Sequence, residues 1–96
     1  MRSIYKYPLD IEYGNGSAGW EPRNVIEMPK GAKILSAAIQ HGKGVLWALV
    51  DPNAEKERRQ VLITATGGNI GDEFDGRRFI GTLLFGEGAI VLHAWE

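Results

Sequence analysis

No stretch of this chain sustains the 3.6-residue apolar period of an amphipathic helix for more than about two turns. Its apolar residues fall in short runs, some alternating and some continuous. Gly, Pro and Asn punctuate them, and 13 glycines and 4 prolines in 96 residues leave little uninterrupted chain. A chain broken this way forms strands joined by tight turns. We read strands near Ser3–Tyr7, Asn24–Met28, Lys33–Gln40, Val45–Val50, Arg59–Thr66, Phe79–Phe85 and Ala89–Trp95. The spacing predicts an all-β fold, a compact β-sandwich or partly open barrel of about seven short antiparallel strands with at most one short helix. That helix is placed at Asn53–Gln60, where Asp51-Pro52-Asn53 supplies an initiation signal. All four prolines (Pro8, Pro22, Pro29, Pro52) fall between the strands so read. Gly42–Gly44 reads as a hairpin turn, and Phe85–Ala89 as another.

Length and charge narrow the function. A chain of 96 residues makes a single domain, 1–96, with one modest core. A net charge of -1 gives no global attraction to a DNA or RNA polymer or to an anionic membrane. Without cysteine there is no disulfide, no thiolate nucleophile and no Cys-ligated zinc. No apolar run nears the ~18 residues of a membrane span. The N-terminus is too polar for a secretory signal. These features lead us to expect a soluble cytoplasmic protein.

Two regions depart from simple alternation. Val45–Val50 and Ala89–Leu92 are apolar on both faces, as suits a strand central in a sandwich or one facing a partner subunit. We therefore expect a homo-oligomer; the alternative is that loops cover the outer face. A Gly-rich insertion loop at about 12–23, holding Tyr13 and Trp20, reads as a mobile loop or a long hairpin tip. Its Asn15-Gly16-Ser17 matches a glycosylation acceptor only formally. Ser17 falls short of a nucleophile elbow, because Asn15 stands at the first glycine position.

The stretch TATGGNIGDEFDG, Thr64 to Gly76, bears most directly on chemistry. A phosphate-binding P-loop needs a Gly-Lys-Ser/Thr and a following helix, and both are missing. The carboxylates of Asp72, Glu73 and Asp75 do not have calcium-loop spacing. The simplest reading is a turn between strands with its acids in water. A ligand-binding reading remains beside it: a phosphate held near Gly67, Gly68 and Asn69, with Arg77 or Arg78 as charge partner and Tyr5, Tyr7 or Trp20 stacking on a base. Against it stand a plain surface Asp–Arg pair and an ordinary aromatic core. His41 and His93 form no metal-ligand pair, and no catalytic residue, metal or cofactor is expected.

Five motifs carry a resemblance. They are IYKYPL (Ile4–Leu9), IEMPKGAKILS (Ile26–Ser36), LWALVDPNAEKERR (Leu46–Arg59), TGGNI (Thr66–Ile70) and FIGTL (Phe79–Leu83). In this order they resemble a family of small accessory proteins from bacteriophage and prophage genomes without an established activity. The segment GNGSAGWEPRN is a departure, an insertion where that family runs almost directly from the first strand into the second motif. The resemblance supplies no catalytic residues. It implies a phage accessory protein in the cytoplasm of the infected bacterial host. Such a protein could act as a counter-defence sponge, sequestering a small nucleotide-type immune signal, a cyclic nucleotide or cyclic ADP-ribose-like ligand, with no chemistry. The alternative is a protein–protein inhibitor or a virion-associated accessory that binds a protein partner. An enzyme that cleaves a small nucleotide would need a metal or base cluster that the sequence does not present.

Overall fold

The computed structural model describes residues 1–14 and 17–96; Asn15 and Gly16 of the expected insertion loop lie outside the described residues. Among the described residues eight strands form two antiparallel sheets. The strands are β1 (Ser3–Gly14), β2 (Ser17–Trp20), β3 (Arg23–Pro29), β4 (Lys33–Gln40), β5 (Lys43–Val50), β6 (Lys56–Ala65), β7 (Phe79–Phe85) and β8 (Ile90–Trp95). Sheet A has the order β2-β1-β5-β4 and sheet B the order β3-β6-β8-β7. The all-β sandwich is as the turn spacing predicts, with one strand more than the seven read. The extra strand, β2, comes from the Gly-rich insertion, which pairs back on the end of β1 from Ile11↔Trp20 to Gly14↔Ser17.

Alternation places the core. On β3, Asn24, Ile26 and Met28 are buried while Arg23, Val25 and Glu27 are exposed. Inward residues of sheet A, among them Leu9, Ile11, Ile34, Leu46 and Val50, pack on Val61, Leu83 and Leu92 of sheet B. The run Val45–Val50 lies on β5, between β1 and β4; of Ala89–Leu92, all but Ala89 lie on β8, which pairs with β7 from Ile90 and with β6 from Leu92 onward. Arg59 of β6 and Arg78, just before β7, reach the backbone at the start of β4. Arg59 bonds the Ala32 carbonyl (2.9 Å) and grips the Glu96 carboxylate; Arg78 bonds the Ile34 carbonyl (2.9 Å).

Three local expectations are corrected. Asn53–Gln60 is not a helix. Asn53 N–H bonds the Asp51 carboxylate (3.0 Å) in a turn, and Lys56 onward is β6, paired with β3 from Lys56 to Leu62. Cross-strand pairing overrides a helix propensity of a few tenths of a kcal/mol per residue, an order-of-magnitude figure. The β4–β5 turn is His41-Gly42, not Gly42–Gly44. Both residues have positive φ (52° and 78°), as a two-residue hairpin requires. Gly44 is glycine for another reason: a Cβ there would lie 2.9 Å from Ile11 Cβ. Finally, Pro8 lies inside β1 and Pro29 ends β3 rather than falling between strands. An edge-facing strand position tolerates a missing N–H.

Candidate ligand cavity on the outer face of sheet B

Residues 66–78 connect β6 to β7 by folding back over the outer face of sheet B. The turn at the start needs both glycines. Gly67 takes φ +82°, and Gly68 N–H bonds the Ala65 carbonyl (2.9 Å) in a turn so tight that a Cβ on Gly68 would lie 3.0 Å from that oxygen. Asp72–Phe74 forms a single 3₁₀ turn. It lays Phe74 edge-on against Trp95 (centroids 6.0 Å apart), and Phe79 meets Trp95 from β7 (5.1 Å). Arg77 fastens the end of the loop, donating to the Glu73 carbonyl (3.0 Å) and to Gln60 Oε1 on β6 (2.7 Å).

The sheet beneath is polar and paired. Trp95 Nε1 donates to Thr64 Oγ1 (3.3 Å). His93 sits between two threonine hydroxyls, with Nε2 at 2.8 Å from Thr66 Oγ1 and Nδ1 at 3.0 Å from Thr82 Oγ1. In a neutral ring one nitrogen donates and the other accepts, so both are engaged. Among the described residues no group of three or more His, Asp or Glu side chains converges as a metal would require.

Between this loop and the β2–β3 corner lies a cavity of about 280 Å³. Trp20 and Arg23 form one wall, Gly68, Asn69, Glu73 and Phe74 the other, and Leu62 and Thr64 of β6 lie between them. The corner is held by Asn24, a buried amide whose Oδ1 accepts from Asp10 N–H (2.7 Å) and whose Nδ2 donates to the Glu21 carbonyl (2.9 Å). This staple fixes the half-buried Trp20 beside β6. Arg23 Nη2 faces Glu73 Oε1 at 3.6 Å, with both side chains about half exposed, so the guanidinium keeps most of its donors open to the cavity mouth.

The structure sorts the residues singled out from sequence. Trp20, Gly68 and Asn69 meet at this cavity. Gly67 holds the turn behind them, and the Gly68 amide is engaged in closing that turn rather than open to an anion. Arg77 and Arg78 precede β7 rather than starting it, so strand alternation does not govern them; they reach different partners, and both are occupied. Arg77 stitches the loop, and Arg78 reaches across to Ile34 and Glu96. Tyr5 and Tyr7 lie on sheet A as a tilted pair 6.5 Å apart and do not line the cavity. The Tyr7 ring packs on the core, and burial first, then the neighbouring Tyr5, raises its hydroxyl above the ordinary tyrosine range. The charged residue that the sequence reading missed is Arg23. It follows Pro22 at the start of β3, and its distance from the GGN motif in sequence hid their proximity.

A two-sheet antiparallel module with a loop-roofed cavity on one outer face defines the structural class. The whole chain, residues 1–96, matches the model of DUF7352, a domain of unknown function, and belongs to that family. No curated protein and no solved structure matches it.

Proposed function

We propose that this protein is a small non-catalytic binding module that takes one nucleotide-type molecule in the cavity between the β2–β3 corner and the loop over sheet B. The observation that carries this reading is the convergence of Trp20, Arg23 and the Gly68–Asn69 turn on one cavity of about 280 Å³. A ring can pack on the indole, and a planar guanidinium can grip two phosphate oxygens. In this reading Arg23 takes the role that the sequence suggested for Arg77 or Arg78. The volume of about 280 Å³ falls just below the usual range of ligand pockets, about 300 to 1,000 Å³. It suits a single nucleotide better than a dinucleotide. The phosphate would compete with Glu73 for Arg23, which makes binding dependent on salt. The resemblance to phage and prophage proteins supplies the setting: sequestration of a host immune signal in the infected cell, with no cofactor.

The test is calorimetry against a panel of linear and cyclic mononucleotides, with the ligand recovered afterwards. We expect binding with the ligand intact. Arg23→Gln should weaken it on the order of ten- to a hundredfold, the loss of a charge-assisted hydrogen bond. Arg78→Gln should leave it unchanged. An altered ligand would replace this reading with an enzyme. The absence of binding at millimolar nucleotide would favour the second reading, an inhibitor or virion accessory that binds a protein. That reading has its own support in the exposed Leu35 and Leu84, which lie outside the cavity.

A further inference from the structure

Glu73 faces Arg23 from the opposite wall of the cavity, Oε1 to Nη2 at 3.6 Å. Among the described residues that line the cavity, these two are the only titratable side chains. The loop holds the carboxylate in place from below. The turn over Asp72–Phe74 is closed by Phe74 N–H on the Gly71 carbonyl (3.1 Å) and Asp75 N–H on the Asp72 carbonyl (3.0 Å). The Glu73 carbonyl accepts from Arg77 Nε (3.0 Å), and Arg77 is anchored in turn on Gln60. From this fixed backbone the Glu73 side chain folds back over Gly71, where a Cβ would lie 2.8 Å from Glu73 Oε2. Gly71 has φ -89°, which any residue adopts, so what the glycine supplies is room for that carboxylate.

Arg23 has no second cation beside it in the lining. Arg77 and Arg78 are engaged elsewhere, and the Gly68 amide closes its own turn. Asp72 and Asp75, both exposed, flank Glu73 on the facing turn. An anion at Arg23 therefore meets one positive charge with carboxylates opposite. Counting charges shows what such a site can hold. The Arg23–Glu73 pair is neutral before binding. A ligand group with one negative charge takes the place of Glu73 on the guanidinium and leaves a net charge of about -1. A group with two leaves about -2, beside a carboxylate that the turn keeps close. A phosphodiester carries a single charge and still presents two free oxygens to the guanidinium fork. A terminal phosphate carries about -1.5 to -2 at neutral pH.

We propose that Glu73 is a specificity residue that selects a nucleotide whose phosphate is esterified twice and disfavours one with a terminal phosphate. The inference rests on the nucleotide reading of the cavity and adds to it the charge class of the ligand. Glu73 acts by repulsion on the group that Arg23 grips, so its effect belongs to discrimination between ligands rather than to the fit of the ring against Trp20. Both side chains are about half exposed, which limits the effect to about tenfold in affinity and makes it sensitive to salt.

Calorimetry at about pH 8, where a terminal phosphate is a dianion, tests the proposal. The probes are the 5′-monophosphates of adenosine, guanosine, cytidine and uridine, each beside its methyl ester and its 3′,5′-cyclic form. The methyl ester separates charge from ring closure. Wild type should bind the ester and the cyclic form of a given nucleoside about tenfold more tightly than its 5′-monophosphate. Glu73→Gln keeps the size of the side chain and removes its charge, and should bring the 5′-monophosphate to within about threefold of the ester. Should Glu73→Gln fail to fold, salt decides on wild type: the gap between ester and monophosphate should shrink from about 50 to 500 mM. Equal wild-type affinity for ester and monophosphate overturns the inference and leaves the nucleotide reading standing. A gap that survives in folded Glu73→Gln, or that salt does not change, also overturns it. Failure of every probe to bind overturns both.

Discussion

On the outer face of sheet B, thirteen residues from Thr66 to Arg78 fold back and roof the strands; on sheet A the Lys6 side chain reaches from β1 across β5 to Gln40 on β4. The roof is held by an aromatic trio, Phe74, Trp95 and Phe79, and by Arg77. Lys6 spans from β1 to β4 through its bond to Gln40, and on the β5 strand between them Val45 is only 7% exposed although it points away from the core. A loop that folds back leaves a gap where it meets the neighbouring corner, and the cavity is that gap. The candidate cavity therefore belongs to sheet B, whereas on sheet A one backbone edge of β1 is unpaired from Ser3 to Pro8 among the described residues.

The largest effect should come from removing the centre of the roof. Trp95→Ala strips the support from Phe74 and Phe79 and should destabilise the protein by about 3 kcal/mol. Hydrogen exchange in residues 66–78 should rise with it. If denaturant unfolding gives less than about a third of that loss, the roof is held by something other than its aromatics.

Arg77→Ala should cost about 1.5–2 kcal/mol, because it leaves Gln60 and the Glu73 carbonyl without their charged donor. Nucleotide affinity should fall as well, since the loop that forms one wall of the cavity loosens. A stable variant with unchanged affinity would separate the wall from the stitch.

Tyr7 sharpens the contrast from the other sheet. The threonine hydroxyls under the roof are paired, whereas the Tyr7 hydroxyl is buried without a partner among the described residues. Tyr7→Phe should therefore be neutral or stabilising by up to about 1 kcal/mol. The pH dependence follows from the raised pKa. Above the ordinary tyrosine range the unfolded chain loses this proton before the folded one does, so folding binds more protons and stability falls as pH rises toward the folded value. Wild type should show this alkaline loss, and Tyr7→Phe should show less of it in thermal melts at matched pH.

The smallest effect should be that of Lys6→Ala, about 0.5 kcal/mol or less, since its bond to Gln40 is exposed. A larger loss in denaturant unfolding would mean that the lysine stem covers Val45 as substantially as the loop covers sheet B.

The sequence by itself determined the all-β class. Seven of the eight strands were legible there, because a period of two and a turn residue at each break are local properties. It did not separate β2 from the Gly-rich insertion, since SAGW has no alternation to read and becomes a strand only by pairing with β1. It misread Asn53–Gln60 as a helix, because propensity is local and the pairing of Lys56 onward with β3 is not. Gly68, Asn69 and Trp20 stood out as turn and aromatic signals, and they do meet at one cavity. What only the tertiary structure decided is the company they keep. Arg23 arrives from a strand more than forty residues earlier in the chain, Arg77 and Arg78 are drawn away by Gln60 and Ile34, and Tyr5 and Tyr7 belong to the other sheet. Side-chain partners of this kind depend on which strands the crossovers bring side by side, and residue spacing along one chain carries no record of that.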